Sequence, residues 1–223
     1  MILPDFKLEK KLISFHSGLV AIDEAGRGPV AGPLTVASVF INRDVLSYEN
    51  LFKKLKVRDS KQISENTREN LRKKLNSLVK FYTVHIPNSK IDKLGIQKSF
   101  YRAVEKIEEF WTKKIKNWKT LGFLIDFFPY KPKKEKIQVY PIKFGDKKCL
   151  SISLASVFAK TERDRLMRKI HKKYPQYNFW KNKGYATKEH LKNIAEYGLC
   201  KYHRKTFLKN LFNFPFAKPE VAC

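Results

Sequence analysis

Residues 18–41 read GLVAIDEAGRGPVAGPLTVASVFI, and the fold turns on how that stretch divides. Leu19 to Asp23 is apolar until it reaches the acids Asp23 and Glu24, and Leu34 to Ile41 is rich in β-branched side chains, so each predicts a strand. Gly26, Gly28, Pro29, Gly32 and Pro33 crowd the gap between them. That density of glycine and proline marks a specialised loop rather than a crossover, so the two strands are expected as antiparallel neighbours. Gly26 to Ala31 also fits GxGxx[GA] formally, with Asp44 lying 18 residues beyond Gly26. A dinucleotide site needs a helix after the glycines to aim its N-terminus at pyrophosphate; Pro29, Pro33 and the β-branched run predict loop and strand instead.

Outward from this stretch, Phe81 to Ile86 alternates as a third strand, and Gly122 to Asp126 and Val139 to Ile142 read as two more. The basic run KPKKEK separates the last two as a solvated loop. Leu71, Leu75 and Leu78 recur at helical spacing from Ser64 to Val79, with Ser64 as N-cap and Thr67 and Arg68 exposed. Ile96, Phe100, Ala103, Val104, Ile107 and Trp111 form the stripe of a longer helix. Leu150 to Ile170 and Glu189 to Tyr197 are further helices.

Lys plus Arg number 47 against 21 Asp plus Glu in 223 residues, a formal net charge of +26. Such an excess suits a long polyanion, because each neutralised phosphate releases counterions, so nucleic acid is the leading partner. The 43% hydrophobic and 13% aromatic content supports one sizeable core, or a core with a small appendage, and argues against disorder. Cys149, Cys200 and Cys223 are odd in number and widely spaced, which excludes a disulfide framework. No signal peptide or bilayer-spanning run is evident, so a reducing, cytoplasmic setting is expected.

Asp23, Glu24 and Asp126 close apolar strands. A lone Asp-Glu pair reads equally well as a surface turn, but acids from separate strand ends can converge, and converging carboxylates need a cation. Hard oxygen ligands point to Mg²⁺ or Mn²⁺, and a carboxylate cluster on a basic surface is what metal-assisted phosphodiester hydrolysis requires. A non-catalytic nucleic-acid binding module would account for the charge and the aromatic residues but not for these acids. Cys200, His203 and His190 match no usual four-ligand zinc spacing.

The segments GLVAIDEAGRGPVAGPLTVASV, VRDSKQISENTR, LGFLID, FGDKKCLSISLASVFAKTERDRLM, NKGYATKEH and YHRKTF, in this order, resemble ribonuclease HII over most of the chain. DEAGRGP is the most specific of them. The resemblance implies a ribonuclease H-like α/β fold: a mixed sheet of about five strands flanked by helices, with a small C-terminal helical lobe. It divides the chain into a catalytic core over 1–170 and a substrate-binding lobe over 171–223.

The resemblance also implies an endoribonuclease that cuts the RNA strand of RNA/DNA hybrids and nicks 5′ of ribonucleotides embedded in DNA, leaving 3′-OH and 5′-phosphate ends. Its metal-binding acids fall on Asp23, Glu24, Asp126 and Asp146, holding two Mg²⁺ or Mn²⁺ ions. Asp164 is assigned an ion pair on its helix. Gly26, Arg27 and Gly28 would contact the ribonucleotide, Tyr185 would stack on the following deoxyribose, and Ser60, Lys61, Lys183, His203 and Arg204 would lie near the nucleic acid or support the site.

Two positions depart from the family pattern. Phe127 stands where the family usually has Gly, and is expected to bulge beside the metals; Ala186 replaces another Gly and is expected to restrict the backbone. The tail NLFNFPFAKPEVAC is expected to pack back onto the core, with docking to a replication clamp as the alternative. A monomer is the simplest expectation.

Overall fold

The computed structural model describes residues 4–57 and 64–209. Ser60, Lys61 and the tail from residue 210 onward lie outside the described residues. Helix α1 (Lys7–Leu12) leads into β1 (Gly18–Ala25) and β2 (Leu34–Ile41), then α2 (Arg43–Ser47), α3 (Glu49–Lys54) and α4 (Glu65–Leu75). Next come β3 (Lys80–Ile86), α5 (Asn88–Leu94), α6 (Ile96–Lys114), β4 (Leu121–Asp126) and β5 (Gln138–Ile142). The chain continues through α7 (Gly145–Lys148), α8 (Leu150–Lys173), α9 (Phe179–Asn182), α10 (Lys188–Tyr197) and α11 (Lys205–Lys209).

The strands form one sheet in the order β3-β2-β1-β4-β5. Strands β1 and β2 are antiparallel, as the short Gly/Pro loop requires, while β4 and β5 run parallel to β1. Strand follows the glycines, not helix, which removes the dinucleotide reading. Residues alternate between two cores, one per face. Leu19, Ala21 and Leu124 pack under α8 with Leu150, Leu154 and Phe158; Val20, Ile22, Phe123 and Ile125 pack under α6 with Phe100, Val104 and Trp111. The mixed five-stranded sheet between helices is the architecture the sequence predicts.

Helix α4 begins as expected: the Ser64 hydroxyl accepts the Thr67 N–H at 3.2 Å. It ends at Leu75, short of Val79, and Arg68 is buried rather than exposed. Arg68 donates to Asp164 at 2.8 Å across the α4–α8 contact, beside the pairs Arg72–Glu162 and Arg165–Glu69. Asp164 therefore has a structural ion pair, between helices as well as with Lys160 on its own helix. Buried Glu9 of α1 accepts the N–H of Ser151 at 3.0 Å and so satisfies the first turn of α8. Among the described residues no helix is long and apolar enough to cross a membrane.

A third apolar cluster unites Tyr174, Tyr177, Phe179 and Ile194 of the C-terminal region with Met167 and Ile170 of α8. Val30 and Ala31, from the loop between β1 and β2, complete it. The glycine-rich loop is thus part of the C-terminal packing unit as much as of the sheet.

Candidate active site

In a parallel pair, residues in register share a face. Ile22 is paired with Ile125 across β1 and β4, so Asp23 and Asp126, one step on, end neighbouring strands on the face covered by α8. The Ser156 hydroxyl of α8 donates to Asp23. Asp126 Oδ1 accepts the Gly145 N–H at 2.7 Å, which holds the α7 turn and its buried Asp146 at the end of β4. A Cβ at position 145 would lie 2.5 Å from Ile152 Cδ1 and 3.3 Å from Asp126 Oδ1, so a larger residue there would have to displace the Ile152 side chain.

Glu24 falls on the other face, since β1 stays paired with β2 through Ala25 and does not kink. Its Oε1 accepts from Arg27 Nη1 at 3.4 Å. Burial, followed by the charges of Glu24 and Asp126, pushes the Asp23 carboxyl well above the usual carboxylate range. Among the described residues, no three His, Cys, Asp or Glu side chains are drawn together as a closed metal-holding group. The crowded donors are nevertheless all carboxylate oxygens, and the repulsion that raises Asp23 is what a hard divalent cation relieves. The donor set suits Mg²⁺ or Mn²⁺ and not a soft metal.

Two buried arginines grip the loop after Glu24. Arg204 donates to the carbonyls of Gly26 at 2.7 Å, Arg27 at 3.0 Å and Gly32 at 3.0 Å. Arg163 of α8 donates to Pro33 at 3.0 Å and Ala31 at 3.2 Å. Gly26 sits at φ +96°, and a Cβ on it would collide with Arg163, so glycine is required both by conformation and by space. Arg204, expected among the substrate contacts, is wholly buried with its fork committed to main-chain carbonyls; it supports the loop and has no free face for a phosphate. Burial pushes its pKa down to about 9, with Arg163 adding to the shift. Composition on so basic a chain gave no signal that either arginine would be internal.

The same loop is tied to the C-terminal region: the N–H groups of Val30 and Ala31 both donate to the Gly184 carbonyl, at 2.9 and 3.2 Å. This sets Gly28 beside Tyr185, whose Cε1 would be 3.9 Å from a Cβ on Gly28. Tyr185 is 45% exposed. The Arg27 guanidinium sits over the Phe128 ring, 4.0 Å from its centroid, while pairing with Glu24. Lys183 pairs with Glu65 at 3.0 Å and sits 5.0 Å from the Trp180 ring centre. Ala186 is absent from the residues with positive φ, so the expected restriction does not arise there. It arises instead at Phe127, with φ +62°.

His203 is a satisfied internal histidine, and the zinc reading fails with it. His203 Nδ1 accepts the Cys200 N–H at 2.9 Å, His203 Nε2 meets His190 Nε2 at 3.1 Å, and His190 Nδ1 reaches the Tyr185 carbonyl at 2.8 Å. One tautomer pair satisfies all three: His203 donates from Nε2 and His190 from Nδ1, both rings neutral. Burial, then the neighbouring His190, pushes His203 down to about 3. A histidine depressed from an unfolded value of 6.5 contributes stability that is complete above pH 6.5 and lost as pH falls towards 3. Unfolding free energies from urea titrations between pH 7 and 4 should therefore fall with acid at up to about 1.4 kcal/mol per pH unit for this group. In His203→Asn that slope should flatten.

A sheet of this order, with acids closing two parallel strands and a third on the following turn, defines a nuclease of the ribonuclease H-like class. The chain belongs to the ribonuclease HII family: the family model described as Ribonuclease HII matches residues 20–213. The ribonuclease HII of Caldanaerobacter subterraneus subsp. tengcongensis is 37% identical over 91% of this chain and 79% of that protein. That of Wolbachia sp. subsp. Brugia malayi is 36% identical over 93% and 94%. Solved structures share the fold. The chain of the PCNA:RNase HII complex from Archaeoglobus fulgidus matches with TM-score 0.65 at 22% identity, over 91% of this chain and 98% of that one. Bst-RNase HIII in complex with Mn²⁺ matches with TM-score 0.63 at 14% identity, over 83% and 72%. The protein is accordingly a metal-dependent endoribonuclease of the type that degrades RNA in RNA/DNA hybrids.

Proposed function

We propose that the protein also nicks duplex DNA on the 5′ side of embedded ribonucleotides, leaving 3′-OH and 5′-phosphate ends, with Asp23, Glu24, Asp126 and Asp146 as metal ligands. The observation that carries this reading is the pairing of two features at one strand end. The in-register acids Asp23 and Asp126 lie next to a loop whose Gly28 adjoins the exposed ring of Tyr185. Two divalent ions, Mg²⁺ or Mn²⁺, would supply the Lewis acidity that activates water and stabilises charge on the departing 3′ oxygen. On this reading Asp23 and Asp126 would offer oxygen donors from the α8 side, Asp146 from the α7 turn, and Glu24 from the α6 side.

Main-chain groups of Gly26 and Gly28 allow a sugar to approach closely, and Tyr185 presents a flat face against the next sugar, where an extra 2′-OH is disfavoured. Arg27 adds charge at the rim, Lys183 stands behind it in its pair with Glu65, and the core over 1–170 works against the lobe over 171–223. Binding should weaken steeply with salt.

The test is an end-labelled duplex containing one ribonucleotide, incubated with Mg²⁺ with and without chelator. A chelator-sensitive nick 5′ of the ribonucleotide is the expected result; binding with no cut in either metal would overturn the reading. In Tyr185→Ala, single-ribonucleotide cleavage should fall about 10- to 100-fold, the equivalent of one lost stacking contact, with hybrid cleavage partly retained. Equal losses on both substrates would remove Tyr185 from the junction.

A further inference from the structure

Two large apolar side chains stand in the open beside the acids. Phe127 directly follows Asp126, and Phe144 precedes Gly145 and Asp146; each is 55% exposed. Both adopt left-handed backbone, at φ +62° and +59°, a region that costs a residue with a Cβ about 1 kcal/mol or more. Neither ring is buried in return. The two segments are joined at their base, where the Phe127 N–H donates to the Ile142 carbonyl at 3.0 Å.

Each ring has a support that suits a polyanion carrying flat rings. Phe127 packs edge-on against Phe128 with centroids 5.4 Å apart, and Phe128 in turn carries the Arg27 guanidinium at 4.0 Å. Phe144 is flanked by the ammonium groups of Lys143 at 5.5 Å and Lys147 at 5.8 Å from its centroid. An exposed ring between cations is the arrangement with which proteins stack a base or sugar and neutralise its phosphates.

We propose that Phe127 and Phe144, with Lys143 and Lys147, form a two-ring platform that holds the nucleic-acid strand across the acids. This deepens the nuclease reading and rests on it for the nature of the ligand. Both exposed rings stand just past the ends of β4 and β5, next in the chain to Asp126 and Asp146, and on this proposal a strand reaching those acids passes over both. An apolar contact there adds affinity that salt does not screen, unlike the lysine contacts.

The test uses the full chain and a fluorescent DNA duplex with one ribonucleotide, bound in the presence of chelator and read by anisotropy. Phe127→Gly and Phe144→Gly remove a ring while easing the backbone, so both should melt at or above the wild-type temperature. Each should bind about 5- to 100-fold more weakly, and Phe127→Tyr should bind as wild type. Phe15→Ala, which removes an exposed ring before the start of β1, at the other end of the sheet, should change nothing. Affinities within twofold of wild type in either glycine variant would overturn the platform. So would an altered sedimentation profile with unchanged affinity, which would make the rings a contact between copies of the chain. Cleavage by the wild type in Mg²⁺ is scored separately: ring-dependent binding without cutting would defeat the nuclease proposal and leave the platform standing, and cutting with ring-independent binding the reverse.

Discussion

Asp126→Asn is expected to reduce cleavage of an embedded ribonucleotide by roughly 10³-fold or more, equivalent to about 4 kcal/mol of transition-state stabilisation. The substitution separates chemistry from architecture. Asparagine keeps an Oδ1 that can accept the Gly145 N–H, so the α7 turn should stay in place and the melting temperature should hold within a few degrees. What it removes is a negative oxygen beside Asp23, whose own carboxyl is pushed up by burial and by the charges of Glu24 and Asp126. Single-turnover rates at saturating substrate, with Mg²⁺ and with Mn²⁺, provide the measurement. A variant that still cuts at a tenth of the wild-type rate would remove Asp126 from the ligand set. Asp164→Asn gives the contrast: it removes the carboxylate that pairs with buried Arg68 and with Lys160, and should lose about 2 kcal/mol of stability while the folded fraction still cuts.

Arg204→Met should have the second large effect, and on a different quantity. Its guanidinium is the donor to the carbonyls of Gly26, Arg27 and Gly32, and methionine fills the volume while offering none. A buried acceptor left unsatisfied costs about 1 kcal/mol at the low end, so three carbonyls imply a loss of about 3 kcal/mol in urea unfolding at pH 7. The loop would relax exactly where Gly28 meets Tyr185, so single-ribonucleotide cleavage should fall more than hybrid cleavage. Arg204→Lys, which retains a charge but not the fork, should recover only part of the stability. Full stability in the methionine variant would show that the loop does not depend on this brace.

The strands, the long helices and the strand-end positions of Asp23 and Asp126 were legible in the chain because they depend on neighbours in sequence. Alternation and β-branching set β1 and β2, the Gly/Pro loop made them antiparallel, and helical spacing set α6 and α8. The resemblance supplied Asp146, which composition alone does not distinguish from Asp164. Charged residues were the weak point, since an arginine reads as surface unless its partner is known. Arg68 and Arg204 are buried because Asp164 and three loop carbonyls, distant in sequence, need donors once the chain closes. Lys183 likewise finds Glu65 across the molecule.

Sequence by itself therefore determined the strands, the antiparallel β1–β2 pair and the strand ends on which acids stand through local pattern, and the family and its mixed sheet through the resemblance of its motifs. The tertiary structure alone decided that β1 continues straight past Glu24 and sends Asp23 and Glu24 to opposite faces. It also decided that His190 and His203 form a neutral relay to Tyr185, and that Phe127 and Phe144 turn outward in left-handed backbone. Each of these depends on which polar group or strand edge lies opposite in space, and that pairing is fixed only when distant segments pack.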